Sequence, residues 1–139
     1  RNNTLRFGSS SGGVFTVLAN QTIANGGIVF GAGFEANTWR IVHKSAETLE
    51  QLDELRGSKY VQSDTGDTFK EAKAFLDSGR NVLYSGTPCQ IAALKKFLGR
   101  DYNSLLTVDL ICHGVPTPLA WDKYLKTREG KRRHFEANS

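Results

Sequence analysis

The second half of the chain reads as two consecutive strand–helix units. The apolar run over residues 81–84 predicts a short buried strand, and Thr87-Pro88 after it is a preferred helix start, with Thr as the N-cap and Pro in the first turn. The run over 105–111 predicts a second buried strand, and Thr117-Pro118 repeats the helix start. Strands that alternate with helices form largely parallel sheets, so the two runs are predicted to be parallel neighbours.

The first half adds further helices and a hairpin. Apolar residues at helical spacing predict a helix over about 11–25, and the glycine-containing apolar run 28–34 predicts a buried strand that pairs with 39–42. Ser45 and Asp67 can each cap a further helix. The predicted fold class is therefore α/β, with a mixed, largely parallel sheet, helices packed on it, and βα units in the C-terminal half.

Length and charge indicate a single domain followed by a basic tail. The 139 residues fit one core, which we predict over residues 1–126, and the formal net charge of +4 is carried by the segment 126–133. We expect residues 127–139 to be flexible. The remaining chain is neutral, which argues against a nucleic-acid partner, and it has no signal peptide or apolar run long enough to cross a membrane. We predict a cytoplasmic protein.

The sequence contains two cysteines, and each follows one of the predicted parallel strands. Cys89 lies in the first turn of a predicted helix, where free backbone N–H groups and the positive end of the helix dipole favour a thiolate. Cys112 directly follows the next strand, so the two thiols are expected at one edge of the sheet. His113 is a candidate third ligand, although a loop histidine that bonds only to backbone is the commoner case. Two inert, buried cysteines are the simplest alternative.

Three further features are candidates for ligand binding. The glycine- and serine-rich segment 9–13 at a helix start could cradle a phosphate or cofactor, although the same residues also form an ordinary N-cap. Lys59 and Tyr60 could offer a cation and a stacking ring, or simply be an exposed lysine and a half-buried tyrosine. Asp109, near the end of an apolar strand, is expected to be buried and to tie down the loops around Cys112 or face the site.

Four motifs, taken in order, resemble a known family over about residues 10–125. They are SSGGVF at 10–15, GSKYVQS at 57–63, SGTPCQIA at 85–92 and DLICHGVP at 109–116. In this order they are similar to the beta subunit of coenzyme F420 hydrogenase and dehydrogenase.

The resemblance implies a flavoprotein that binds FAD beside a [4Fe–4S] cluster. Carried onto this chain, it makes Cys89 and Cys112 two cluster ligands, with the other two expected in a C-x-x-C pair further along the family's chain. This sequence stops before such a pair. The residues that match the family's flavin-site loops are Ser11, Gly12, Gly13, Lys59, Tyr60, Gly86 and Thr87.

The function implied is electron transfer by an oxidoreductase. FAD would exchange a hydride with a deazaflavin such as coenzyme F420, or with another acceptor, and electrons with an iron–sulfur carrier or with hydrogenase or dehydrogenase subunits. A thiol-dependent enzyme with Cys89 as nucleophile and His113 as base is one alternative. A binding or assembly module that has lost its cofactors is another.

Overall fold

The computed structural model describes residues 13–36 and 38–136, and its centre is a four-stranded mixed sheet. The strands are β1 (Ile28–Phe34), β2 (Ile41–Ala46), β3 (Val82–Gly86) and β4 (Leu105–Asp109), in the spatial order β2-β1-β3-β4. β1 pairs antiparallel with β2 and parallel with β3, and β3 pairs parallel with β4. The predicted α/β class and the parallel pairing of the two C-terminal strands are confirmed.

Helices cover both faces of this sheet. In the described part of the chain they are α1 (Val14–Ala24), α2 (Leu49–Leu55), α3 (Thr68–Asp77), α4 (Pro88–Leu98) and α5 (Pro118–Glu136). On one face, α1 and α2 pack over Val29 and Leu83. On the other face, α3 and α4 pack over Phe30 and Tyr84. Neighbouring residues of one strand therefore serve two separate cores, since successive side chains of a strand point to opposite faces.

The helix that carries Cys89 begins and ends where the sequence predicts. Thr87 is the N-cap of α4 in an extended conformation, and Pro88 occupies its first turn. Gly99 ends the helix with φ = 68°, a left-handed conformation that glycine adopts without steric cost. The βα unit that presents Cys89 is thus defined at both ends of its helix.

Several predicted boundaries in the first half are wrong by a few residues. The first helix begins at Val14 rather than near 11, and the second hairpin strand is 41–46 rather than 39–42. Ser45 therefore lies within β2 and caps no helix. Thr48 is the cap instead: its side chain accepts a hydrogen bond from the Gln51 N–H, and the Gln51 side chain accepts one from the Thr48 N–H.

The second half differs from prediction at β4 and at the last helix. β4 ends at Asp109 rather than 111 and forms an edge of the sheet, so Leu106 is 45% exposed and Ile111 is 91% exposed. Asp109 is itself exposed, which corrects the expectation that it is buried. The last helix does not end near Lys126 but continues to Glu136. An apolar run alone could not distinguish an edge strand from a central one.

We expect removal of residues 127–139 to leave the thermal stability of the domain nearly unchanged. Most side chains of α5 up to Arg128 are exposed, and its clearest tie to the rest of the domain is the Trp121 Nε1–H, which donates to the Trp39 carbonyl at 3.0 Å. Both residues of that contact are retained in the shortened chain. Calorimetry of the shortened chain tests this, and a fall in melting temperature of more than about 4–8 °C, the scale of roughly 1 kcal/mol in a small domain, would contradict it.

Candidate functional site

The two cysteines follow the ends of two neighbouring strands at equivalent positions. Gly86 and Asp109 are register partners at the ends of β3 and β4, and the Leu110 N–H extends the pairing by donating to the Gly86 carbonyl at 3.0 Å. Cys89 lies three residues beyond Gly86, and Cys112 lies three residues beyond Asp109. Both thiols are free and exposed. The alternative that both cysteines are buried is therefore wrong.

The Cys89 sulfur contacts the side chain that caps its own helix. Its Sγ lies 3.1 Å from the Thr87 hydroxyl oxygen, and because the Thr87 O–H donates to the Gln90 Oε1, the Cys89 thiol is the donor in this contact. His113 is exposed, and within the described part of the chain it makes no hydrogen bond to Cys89. The local partner of this thiol is thus the hydroxyl group of Thr87, in the same SGTPCQIA motif.

Behind Thr87, the buried Gln90 side chain joins α4 to the loop at 57–63. Its Nε2 donates to the Ser63 carbonyl at 3.1 Å and to the Ser63 hydroxyl at 3.0 Å. Its Oε1 accepts from the Thr87 N–H at 3.0 Å and from the Thr87 hydroxyl at 3.1 Å. A carbonyl can only accept and an N–H can only donate, so the backbone at both ends fixes which way the Gln90 amide faces.

His43 anchors Ser63 to the sheet. The His43 Nε2 lies 3.0 Å from the Ser85 carbonyl, and the Nδ1 lies 3.0 Å from the Ser63 hydroxyl. Because the Ser85 carbonyl only accepts, Nε2 carries the proton and Nδ1 accepts from Ser63. The imidazole also stacks on Tyr84, with ring centroids 5.3 Å apart. Burial lowers the pKa of His43 below its ordinary value of 6.5, which agrees with the neutral ring that these bonds require.

The segment that contains Ser63 is held by backbone hydrogen bonds on two sides. On one side, the His43 N–H donates to the Asp64 carbonyl at 2.7 Å, and the Asp64 N–H donates to the Ile41 carbonyl at 2.9 Å. On the other side, the Gln62 N–H donates to the Pro116 carbonyl at 3.5 Å. Residues 61–64 therefore connect β2 with the chain that follows Cys112.

Gly86 is surrounded by the same polar groups. A Cβ atom built there would lie 3.1 Å from the Gln90 Oε1, 3.3 Å from the Gln90 Cβ and 3.6 Å from the His43 Nε2. Close packing within the protein therefore explains why this position is a glycine. Contact between Gly86 or Thr87 and a flavin remains a proposal.

The other predicted flavin-site residues are described by the structure only in part. Gly13 is buried and is the N-cap of α1 in a left-handed conformation, with φ = 82°, whereas Ser11 and Gly12 fall outside the described residues. Tyr60 is 78% exposed. A Cβ at Gly31, well along β1, would touch Phe15 in the first turn of α1, so the start of this helix lies toward the carboxyl end of β1.

Lys59 closes the last turn of α2. Its ammonium donates to the Arg56 carbonyl at 2.7 Å and to the Glu54 carbonyl at 3.2 Å, an arrangement that satisfies carbonyls left free at a helix end. Burial and the nearby charge of Lys44 lower the pKa of Lys59 to about 8. The structure thus gives Lys59 a structural role, and a role toward a phosphate remains a proposal.

Three members of the polar network were not predicted from the sequence: His43, Ser63 and Gln90. Ser63 and Gln90 stand inside two of the motifs that carry the family resemblance, which was a usable signal. His43 had no such signal, because its partners are Ser63 and Ser85, far away in the chain.

The soft thiolate donors suit an iron–sulfur cluster but supply only part of a ligand set. A [4Fe–4S] cluster takes four ligands, usually cysteines. Within residues 13–36 and 38–136, no group of three or more His, Cys, Asp and Glu side chains is arranged to hold a metal ion. Two exposed cysteines therefore fit two of the four positions.

Comparison with protein families agrees with the two motifs that contain the cysteines. Residues 79–135 match the model of the C terminus of the coenzyme F420 hydrogenase/dehydrogenase beta subunit. The resemblance to this beta-subunit family is confirmed over these residues. The matched segment includes β3, α4 and β4 with both cysteines, so the part that resembles the family is the part that builds the cysteine edge. No curated protein matches the sequence significantly.

A solved structure shares the fold. It is a chain in a structure described as the xenon derivatization of the F420-reducing [NiFe] hydrogenase complex from Methanosarcina barkeri. The match has a TM-score of 0.68 and 21% identity and covers 90% of the present chain. The chain spans 46% of the length of that neighbour. No helix in the described ranges is both long and apolar enough to span a membrane.

We expect the neutral, buried state of His43 to make the domain less stable in mild acid. Because the pKa of His43 is lowered in the folded state, the unfolded chain takes up a proton first as the pH falls below about 6.5. The free energy of unfolding should therefore fall with pH from that point until the folded state is also protonated. Urea denaturation at several pH values measures the slope.

Two variants separate this effect from other titrations. His43→Gln removes the titrating group and should flatten the slope in this range, whereas His113→Asn, at an exposed position, should retain it. An unchanged slope in His43→Gln would contradict the assignment of a neutral buried imidazole.

Proposed function

We propose that this chain is an electron-transfer domain of a flavin- and iron–sulfur-dependent oxidoreductase, related to the beta subunit of coenzyme F420 hydrogenase and dehydrogenase. The observation that carries the proposal is the pair of exposed thiols at equivalent positions beyond β3 and β4, inside the segment that matches the family. In open α/β sheets, ligands bind at the carboxyl ends of the strands. Cys89 and Cys112 are the residues of this chain proposed to ligate a cluster.

FAD is the second proposed cofactor. When bound, FAD supplies hydride transfer and the cluster supplies single-electron transfer. The residues proposed to contact FAD are Ser11, Gly12, Gly13, Lys59, Tyr60, Gly86 and Thr87. Gly86 and Thr87 support the proposal in so far as they lie at the carboxyl end of β3, the edge at which such sheets bind ligands.

The proposed reaction partners follow from these cofactors. The hydride acceptor would be a deazaflavin such as coenzyme F420, or another heteroaromatic ring. The electron partner would be an iron–sulfur carrier or another subunit of a hydrogenase or dehydrogenase. Because the chain spans less than half of its structural neighbour, the complete activity is proposed for the longer protein.

Flavin retention by two variants of the full-length protein tests the cofactor assignment. Gly12→Val places a branched side chain in the glycine-rich loop, so we expect loss of the bound flavin absorbance. Cys89→Ser leaves the glycine-rich segment unchanged and changes an exposed side chain, so it should retain the flavin. Full flavin occupancy in Gly12→Val would show that the flavin is not bound by this loop.

Hydride transfer is tested separately, after dithionite reduction of the full-length protein and removal of excess reductant. The reduced protein should bleach the absorbance of an added deazaflavin, and the Gly12→Val variant should not. Equal bleaching by both proteins would contradict hydride transfer through a flavin held by this loop.

A further inference from the structure

We propose that Ser63 and Gln90 are positioning residues that hold the two cysteine-bearing segments at the separation that one metal centre requires. The inference rests on the proposed function, because it assumes that Cys89 and Cys112 share a ligand. Their proposed action is on the backbone that presents each cysteine, not on the sulfur atoms themselves.

The first half of the argument concerns Cys89. Gln90 is the next residue of α4, is only 6% exposed, and binds the Thr87 N–H on one side and Ser63 on the other. These bonds tie the first turn of the helix to the loop, so the Cys89 backbone cannot move without breaking buried hydrogen bonds. Each such loss leaves a desolvated polar group unpaired, which is costly.

The second half concerns Cys112. Its loop follows an edge strand and is exposed from Leu110 to Gly114, so the sheet alone holds it weakly. The Gln62 N–H reaches this loop at the Pro116 carbonyl. Gln62 and Ser63 are adjacent in the chain, so one short segment touches both the first turn of α4, which carries Cys89, and the chain four residues beyond Cys112.

His43 makes that segment a rigid spacer. The His43 side chain is 7% exposed and stacks on Tyr84 in the core. Its Nδ1 accepts a hydrogen bond from the Ser63 hydroxyl, while its Nε2–H donates to the Ser85 carbonyl of the sheet. Loops that hold a ligand site need such support, because partners outside the metal-binding shell set the orientation of the ligands. A side chain of the sheet core thus fixes the loop that spaces the two thiols.

Cadmium binding to the reduced 139-residue chain, without oxygen, tests the proposal through the ultraviolet absorbance of Cd²⁺–thiolate bonds. Cys89→Ser and Cys112→Ser should each abolish binding, which defines the paired site. Ser63→Ala and Gln90→Met should weaken Cd²⁺ binding by about 10–100-fold, the usual effect of removing partners outside the metal-binding shell. Ser45→Ala, at an exposed position of β2, is the matched control and should bind as the parent chain does.

The outcomes separate the two proposals. If the parent chain binds Cd²⁺ through both cysteines and Ser63→Ala binds it equally well, the positioning role is overturned and the paired-cysteine site stands. If either Cys→Ser variant binds Cd²⁺ like the parent chain, the paired site itself is overturned, and the positioning role with it.

A further variant guards against loss of folding. Circular dichroism confirms that each variant is folded, and Ser63→Ala, which removes one oxygen atom, decides the test if Gln90→Met unfolds. Gln90→Glu keeps an acceptor for the Thr87 N–H and places an oxygen against the Ser63 carbonyl, so it should also weaken binding. If folded Gln90→Glu bound Cd²⁺ as tightly as the parent chain, the hydrogen bonds from Gln90 to Ser63 would have no role in spacing the cysteines.

Discussion

Replacing either Cys89 or Cys112 by Ser should remove most of the iron and the broad visible absorbance from the full-length protein, while the fold is retained. Serine is nearly isosteric with cysteine, but its hydroxyl is a poor ligand for iron compared with a thiolate. Both positions are exposed, so neither substitution opens a cavity. The equivalent positions of the two cysteines beyond paired strands predict that the two losses are similar. Iron analysis and absorbance of protein purified without oxygen measure them.

His113→Asn is the control for this prediction. His113 is exposed and follows Cys112 directly, so a variant there disturbs the same loop without removing a thiol. We expect it to retain its iron. Loss of iron in His113→Asn as large as in Cys112→Ser would make His113 a ligand, and full iron content in either Cys→Ser variant would exclude that cysteine as one.

Gly86→Val should lower the free energy of unfolding by about 2 kcal/mol or more. The added side chain would begin 3.1 Å from the Gln90 Oε1 and 3.3 Å from its Cβ, too close for both to keep their positions. Overpacking a core costs roughly 1–3 kcal/mol, and a buried hydrogen-bonding group left without its partner costs roughly 1–3 kcal/mol more. Urea denaturation of the purified variant gives the free-energy difference. We also expect this variant to lose flavin, as a consequence of the displaced network.

The matched control introduces the same side chain on another strand of the sheet. Ser45→Val changes an exposed position of β2, where a β-branched residue fits a strand, and should alter the free energy of unfolding by less than about 0.5 kcal/mol. Equal stability of the Gly86→Val variant and the parent chain would mean that Gln90 and His43 can move aside without cost.

The strand–helix alternation made the fold accessible from the sequence. The runs at 81–84 and 105–111, each followed by Thr-Pro, give two βα units because strand-forming apolar runs and helix capping are local features of the sequence. The exposure of Ile111 was not accessible in this way, since it depends on β4 lying at the edge of the sheet. Ser45 was wrongly predicted as a cap because it lies at the end of β2, only three residues before Thr48, the hydroxyl residue that does cap the helix.

The candidate site was partly accessible for the same reason. The two cysteines could be placed at one edge because each follows its strand directly, and strand order then fixes their relation. His43 could not be placed, because it reaches Ser85 across β1 from the far strand of the sheet, and neither residue marks the other in the sequence. The network is formed by contacts between segments that are distant in the chain, which local sequence patterns do not reveal.

The most direct test of the central claim is the flavin and iron content of the full-length protein, purified without oxygen and without added cofactors. A cofactor-binding electron-transfer domain predicts both FAD and iron in the same preparation, with a flavin spectrum over a broad iron–sulfur absorbance. A folded protein with neither flavin nor iron, before and after anaerobic reconstitution, would contradict the proposed function and support a binding or assembly module.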